Sequence, residues 1–211
     1  MKIHRIINPV ADENTYILEG ETSLLIVDPG SDWDAIHATI DACHKPIAGI
    51  CLTHAHYDHI MSLENIRDSY HYPTVYISSL EEDWLYTPSK NLSGLMRHDD
   101  LPNVICQPAD AYWTNYHDYK LADFSFRIVP TPGHSIGSVS LIFQQERLAF
   151  TGDALFKDSI GRWDLPTGNK DTLLTSIHRE LLTLPDDFTI YPGHRESSTI
   201  ARERDKNPFL Q

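Results

Sequence analysis

Between Thr53 and His59 the chain reads Thr-His-Ala-His-Tyr-Asp-His, placing His54, His56, Asp58 and His59 within six residues. Crowding three imidazoles and a carboxylate together is costly unless an ion compensates them, because ionisable groups removed from water need partners. Neutral imidazole and carboxylate suit zinc, iron or manganese, and nothing here resembles a thiolate zinc site. Three further candidates arrive singly, each after a β-like run. Ile-Val-Pro-Thr-Pro-Gly-His ends on His134, Leu-Ala-Phe-Thr-Gly-Asp on Asp153, and Ile-Tyr-Pro-Gly-His on His194. Seven donors are too many for one tetrahedral ion. They suit two ions about 3.5–4 Å apart that share a carboxylate and a hydroxide, the latter nucleophilic at neutral pH. The other histidines (His4, His37, His44, His71, His98, His117 and His178) read as ordinary surface or helix-face residues.

The elements that must hold these donors follow from hydrophobic periodicity. Lys-Ile-His-Arg-Ile-Ile, Asn-Thr-Tyr-Ile-Leu-Glu and Ser-Leu-Leu-Ile-Val are rich in β-formers and punctuated by Asn, Pro and Gly, so they predict a meander. From Asp32 the period changes to 3.6, with Ile36, Ile40 and Cys43 on one helical face behind an acidic start. A strand then leads to His54, a helix is expected near Ile60 to Ser69, and a strand follows at Thr74 to Ser78. Residues 81–123 read as a loop-rich insertion carrying a short helix. Strands are expected again at 124–130, 138–144 and 147–153, then a helix over 171–184, a strand at 188–192 and a closing helix near 199–205. Two β-rich halves, each with helices, imply an α/β fold with two sheets face to face, a four-layer αββα sandwich.

The bulk properties exclude several classes. The 211 residues, 41% of them hydrophobic, are enough for one domain over 1–211 with a sizeable core. A formal charge of -13 gives no footprint for a phosphate backbone, so nucleic acid is not an expected partner. Cys43, Cys51 and Cys106 form no CxxC pair and are odd in number, so they read as plain thiols. No apolar run matches a signal peptide or a membrane span, and the expected location is the cytoplasm. Oligomeric state is not encoded in any pattern here.

The motifs THAHYDH, TPGHS, TGD and YPGH, in that order, resemble the metallo-β-lactamase superfamily over nearly the whole chain. GDALFKDSIGRWDLPTGN and the closing YPGH and NPFL segments are most similar to its small glyoxalase II-like hydrolases. The resemblance implies the αββα sandwich and two divalent ions, zinc foremost with iron or manganese compatible. It implies that His54, His56 and His134 hold one ion, that Asp58, His59 and His194 hold the other, and that Asp153 bridges them. The implied reaction is hydrolysis of a small-molecule 2-hydroxyacyl thioester, such as a lactoyl thiol, by a metal-bridging hydroxide that Asp58 also orients as a catalytic residue. A persulfide dioxygenase with a single iron, a lactone or other ester hydrolase, and a non-enzymatic metal-binding module are the alternatives.

The sequence also departs from those relatives. The larger glyoxalase II enzymes carry an extra C-terminal helical domain that helps bind glutathione, and no room for one is expected before Gln211. Arg195 stands where the subgroup commonly has glycine. Arg195 and Arg162 are the candidates for contacting substrate, although a buried Arg162–Asp164 ion pair that orients its loop is the leading reading for Arg162. Asp28, at the end of a strand, reads either as a support for the site or as part of an Asp-Pro-Gly turn.

Overall fold

The N-terminal runs form the predicted meander: β1 (Lys2–Ile7), β2 (Asn14–Glu19) and β3 (Leu24–Val27) pair antiparallel in sequence order. These strands belong to a computed structural model that describes residues 1–95 and 101–211; His98 lies outside the described residues. The chain divides into two compact units, one of Met1–Trp113 with Lys120–Phe124, the other of Thr114–Tyr119 with Ser125–Gln211.

In the first unit the sheet changes from antiparallel to parallel after β3. β4 (Ile47–Cys51), β5 (Val75–Ile77) and β6 (Ala111–Tyr112) follow in order, each parallel to its predecessor. Parallel neighbours need crossover connections, which helices supply here. The first is α1 (Trp33–Cys43), whose N-cap Asp32 accepts a hydrogen bond from the Ala35 N–H at 3.1 Å and whose chain turns left-handed at His44, φ 51°. Its Ile36 and Ile40 lie one turn apart and are fully sequestered, each contributing roughly 1.5–3 kcal/mol of apolar burial. The second crossover contains α2 (Leu63–Ser69), again on a buried face of Leu63 and Ile66. Both helices pack with Leu24, Ile26, Ile50 and Val75 in one apolar core.

The second unit's sheet has the order β14-β13-β10-β9-β8-β7. Its strands are β7 (Asp118–Leu121), β8 (Phe124–Pro130), β9 (Val139–Phe143), β10 (Leu148–Gly152), β13 (Thr189–Pro192) and β14 (Ser198–Thr199). β8, β9 and β10 are antiparallel, whereas β10 and β13 are parallel. The crossover between that parallel pair carries a small hairpin of β11 (Leu155–Phe156) with β12 (Ser159–Ile160), then α3 (Lys170–Ser176). The helix expected over 171–184 is thus shorter and ends in a π turn over Ile177–Leu181, with Leu173, Ile177 and Leu181 buried beside Phe188 and Ile190. The closing helix is α4 (Ile200–Lys206).

The stretch 81–123 departs from the expected insertion. A 3-10 helix spans Ser79–Trp84, and the later part supplies β6 and β7 as strands of the two sheets. Among the described residues no helix is long and apolar enough to cross a membrane.

Candidate metal centre

His54, His134, Asp153 and His194 each sit just past a strand end, as the sequence implied. His54 and His56 follow β4, His134 follows β8, Asp153 directly follows β10, and His194 follows β13. In the first unit His56 precedes a single 3-10 turn, Tyr57–His59, that carries Asp58 and His59. The rings of His54 and His56 are 4.7 Å apart and those of His54 and His59 4.1 Å apart. All four donors there are at most 8% exposed. Tyr57, between them in sequence, is buried as well.

The hydrogen bonds behind these rings decide which nitrogen each offers. The Thr53 hydroxyl lies 2.6 Å from Asp28 Oδ2 and 3.0 Å from His54 Nδ1. It has one proton, which the carboxylate claims, so Thr53 Oγ1 accepts at His54 and His54 carries its hydrogen on Nδ1. His59 Nδ1 lies 3.1 Å from Asp28 Oδ2 and likewise donates. Glu13 Oε1 stands 3.7 Å from the same nitrogen, in a pocket where both carboxylates are buried. His54 and His59 therefore both present the Nε2 lone pair, the form in which imidazole binds a divalent ion.

Asp28 is the keystone of this arrangement. Its backbone is left-handed at φ 48°, and its carboxylate accepts the Thr53 N–H at 2.8 Å as well as the Thr53 hydroxyl and His59. It serves the turn and the site together. Asp28→Ala should lower metal affinity about 10- to 100-fold, the usual cost of losing such an outer partner, in a competition titration against a chelator. Unchanged affinity would leave Asp28 with the turn alone.

The second unit assembles its three donors around one oxygen. His134 Nδ1 faces the Arg162 carbonyl at 2.8 Å; a carbonyl can only accept, so His134 too is Nδ1-protonated and offers Nε2. That Nε2 lies 3.4 Å from Asp153 Oδ2, and His194 Nε2 lies 3.3 Å from the same oxygen. Both separations exceed the roughly 2.7–3.2 Å of ordinary N–H···O bonds. Two glycines allow this crowding. Gly133 holds φ 128°, and a Cβ there would stand 2.2 Å from the Leu173 nitrogen; a Cβ on Gly161 would stand 1.8 Å from the Asp153 carbonyl oxygen.

Each unit thus brings its own predicted donors together. The donor set fits divalent metal: imidazoles with their tautomers set toward Nε2, and buried carboxylates beside them. In the first unit Asp28, His54 and His59 also offer ligand atoms within 4.8 Å of one another.

Two other residues support the site without any sequence signal. Glu81, wholly buried on the 3-10 helix after β5, accepts the Ala55 N–H at 2.8 Å and so fixes the backbone between His54 and His56. Trp84, from the same helix, stacks on His56 with ring centres 5.7 Å apart. A lone acid in a loop-rich stretch carries no periodicity that would have singled it out.

The expected buried ion pair is corrected. Arg162 and Asp164 do pair bidentately, both bonds 2.9 Å, but their side chains are 58% and 63% exposed. Such a pair contributes little to stability in water, and the loop is instead held by the Arg162 carbonyl on His134. Arg195 is exposed and left-handed at φ 68°. That conformation explains why glycine is common at this place in the resembled subgroup, since glycine alone enters it without steric cost.

The metallo-beta-lactamase superfamily model matches residues 9–194. A protein of Streptococcus pyogenes named a probable metallo-hydrolase is 49% identical over 210 residues, spanning 100% of this chain and 90% of that one. The hydroxyacylglutathione hydrolase GloC of Haemophilus influenzae is 33% identical over 195 residues, 92% of this chain and 90% of its own. Among solved structures, that of the BLEG-1 B3 metallo-beta-lactamase superposes with a TM-score of 0.94 at 37% identity, covering 100% of both chains. The chain belongs to the metallo-β-lactamase superfamily and has its fold, the αββα class that the motif order implied.

Proposed function

We propose that this protein is a metal-dependent hydrolase that cleaves a 2-hydroxyacyl thioester, with His54, His56 and His134 holding one ion, Asp58, His59 and His194 a second, and Asp153 bridging. The observation that carries the reading is Asp153 Oδ2, flanked by His134 Nε2 at 3.4 Å and His194 Nε2 at 3.3 Å. A carboxylate oxygen between two imidazole nitrogens is what a bridging ligand requires. The hydroxyacylglutathione hydrolase relative and the GDALFKDSIGRWDLPTGN segment support the thioester class.

When bound, the two ions supply an activated water at neutral pH and polarise the scissile carbonyl. The chain's residues do the remaining work. Asp28 and Thr53 keep His54 and His59 in the Nδ1-protonated form, and the Arg162 carbonyl does the same for His134. Glu81 holds the intervening backbone rigid. Asp58, 8% exposed with Oδ2 3.8 Å from His59 Nε2, would orient the attacking water as well as bind metal. The exposed Arg162 and Arg195 guanidiniums are the proposed contacts for an anionic group on the substrate. Imidazole and carboxylate donors accept zinc, iron and manganese alike, with zinc the proposed resident.

The test is thiol release from S-lactoylglutathione by metal-loaded protein, with Asp58→Ala as the blank and a cephalosporin assayed in parallel. Release that the substitution abolishes is the expected result. Absence of release would remove the thioester, and cleavage of the cephalosporin instead would favour β-lactam hydrolysis, the reading that the similarity to the BLEG-1 enzyme supports.

A further inference from the structure

Three side chains remote from the motif histidines in sequence meet on the first unit. His4 of β1, Glu19 of β2 and Cys43 of α1 are all partly buried, and their ligand-type atoms lie within 4.8 Å of one another. His4 Nε2 is 2.9 Å from Glu19 Oε2, and Cys43 Sγ is 3.9 Å from that same Nε2. The β1–β2 pairing sets His4 opposite Ile17, two residues from Glu19, so the first two side chains share a sheet face. The last turn of α1 then brings the thiol to them.

A cysteine, a histidine and a carboxylate suggest a nucleophilic triad, but the geometry argues against one. A triad needs the thiol on one imidazole nitrogen and the carboxylate on the other, so that a proton can pass through the ring. Here both partners converge on Nε2. An ionised carboxylate can only accept, so His4 Nε2 carries its hydrogen toward Glu19, and an ion binding among the three groups would displace that proton to the other ring nitrogen or to water. The two separations, 2.9 and 3.9 Å, bracket the roughly 3.3–3.8 Å between tetrahedral ligands around zinc, so an ion would part His4 from Glu19 by a few tenths of an ångström.

We propose that His4 Nε2, Glu19 Oε2 and Cys43 Sγ form a second metal site, for one thiophilic divalent ion of the zinc class, separate from the seven-donor set. Thiolate with imidazole selects zinc over calcium, magnesium or manganese. Glu19 is suited to the task because Lys45 Nζ holds Oε1 at 2.9 Å while itself bonded to the Gly20 carbonyl at 2.8 Å, leaving Oε2 turned toward His4. The same lysine, with His4, keeps the Glu19 carboxyl lowered to about 2, so it is ionised at neutral pH. Lys2 approaches Oε2 at 3.9 Å but is 70% exposed and free to swing into water. Burial raises the Cys43 thiol, so binding displaces a proton from sulfur. The occupied site would clamp β1, β2 and the end of α1, and it would not touch the hydrolytic chemistry.

Cobalt(II) titration of the full chain tests this, because the seven-donor set contains no sulfur. With that set already filled by cobalt, further cobalt should produce a thiolate-to-cobalt charge-transfer band in the near ultraviolet. Cys43→Ser should abolish the band, and His4→Ala should weaken the binding that produces it by about tenfold or more, with the resident metal content unchanged in both variants. Added zinc should raise the melting temperature of the wild type beyond that of Cys43→Ser. Absence of the band in the wild type, its persistence in Cys43→Ser, undiminished affinity in His4→Ala, or its loss only together with the resident metal would each overturn the assignment.

Discussion

Asp153→Ala will take hydrolysis to the uncatalysed background and lower bound metal at both positions of the proposed centre. The expectation follows from one oxygen: Oδ2 lies within 3.4 Å of both His134 Nε2 and His194 Nε2, so a single truncation removes a ligand from each ion and the negative charge that lets them sit close together. The carboxylate is 7% exposed, and water cannot substitute for it without losing that charge. His194→Ala is the matched control, expected to empty the second position in preference to the first, because Asp153 remains. Elemental analysis per chain together with thiol release reads both variants. Full turnover by Asp153→Ala with two ions retained would end the bridging role, and an unchanged stoichiometry in His194→Ala would undo the division of ligands.

Removing the metal with a chelator will abolish activity, restore it on metal addition, and lower the melting temperature substantially. An ion that binds only the folded chain stabilises it by mass action, about 4 kcal/mol at a free concentration a thousandfold above its Kd. For a chain of this length each kcal/mol is about 2–4 °C, so the loss should be about 8–16 °C by scanning calorimetry. The physical source lies in the buried donors. In the first unit His54, His56 and His59 are each at most 3% exposed beside Asp28 and Asp58 at most 8% exposed, and in the second His134 at 3% stands beside Asp153 at 7%, so each unit keeps desolvated donors that an ion would compensate. An apo protein melting at the holo temperature would show that the cluster is a self-sufficient hydrogen-bonded network and not a metal site.

The candidate donors stood out in the amino-acid order because metal chemistry constrains residue type and spacing so tightly. His54, His56, Asp58 and His59 can serve an ion from one turn, and the Pro-Gly approaches to His134 and His194 mark chain leaving a strand. The longer strands were legible for a similar reason. β1, β8 and β10 are runs of apolar and β-branched residues bounded by turn formers, and α1 announces itself by Asp32 and the Ile36–Ile40 spacing. β6, β11, β12 and β14 were not, since a strand of two residues has no period to detect and exists only because a neighbour's edge accepts it.

What the sequence by itself determined, then, is the inventory of candidate ligands and the strands that lead to them. Only the tertiary structure decided how those ligands are held. Which nitrogen each imidazole presents depends on Asp28, Thr53 and the Arg162 carbonyl, and the loop between His54 and His56 depends on Glu81, 26 residues from Ala55. The Arg162–Asp164 pair could be foreseen from its spacing but not its exposure, and His4, Glu19 and Cys43 meet only once two strands have paired and a helix has packed beside them. Spacing reports what one segment does alone; hydrogen-bond direction, burial and convergence are properties of segments brought together, and the sum of packing across the fold sets them.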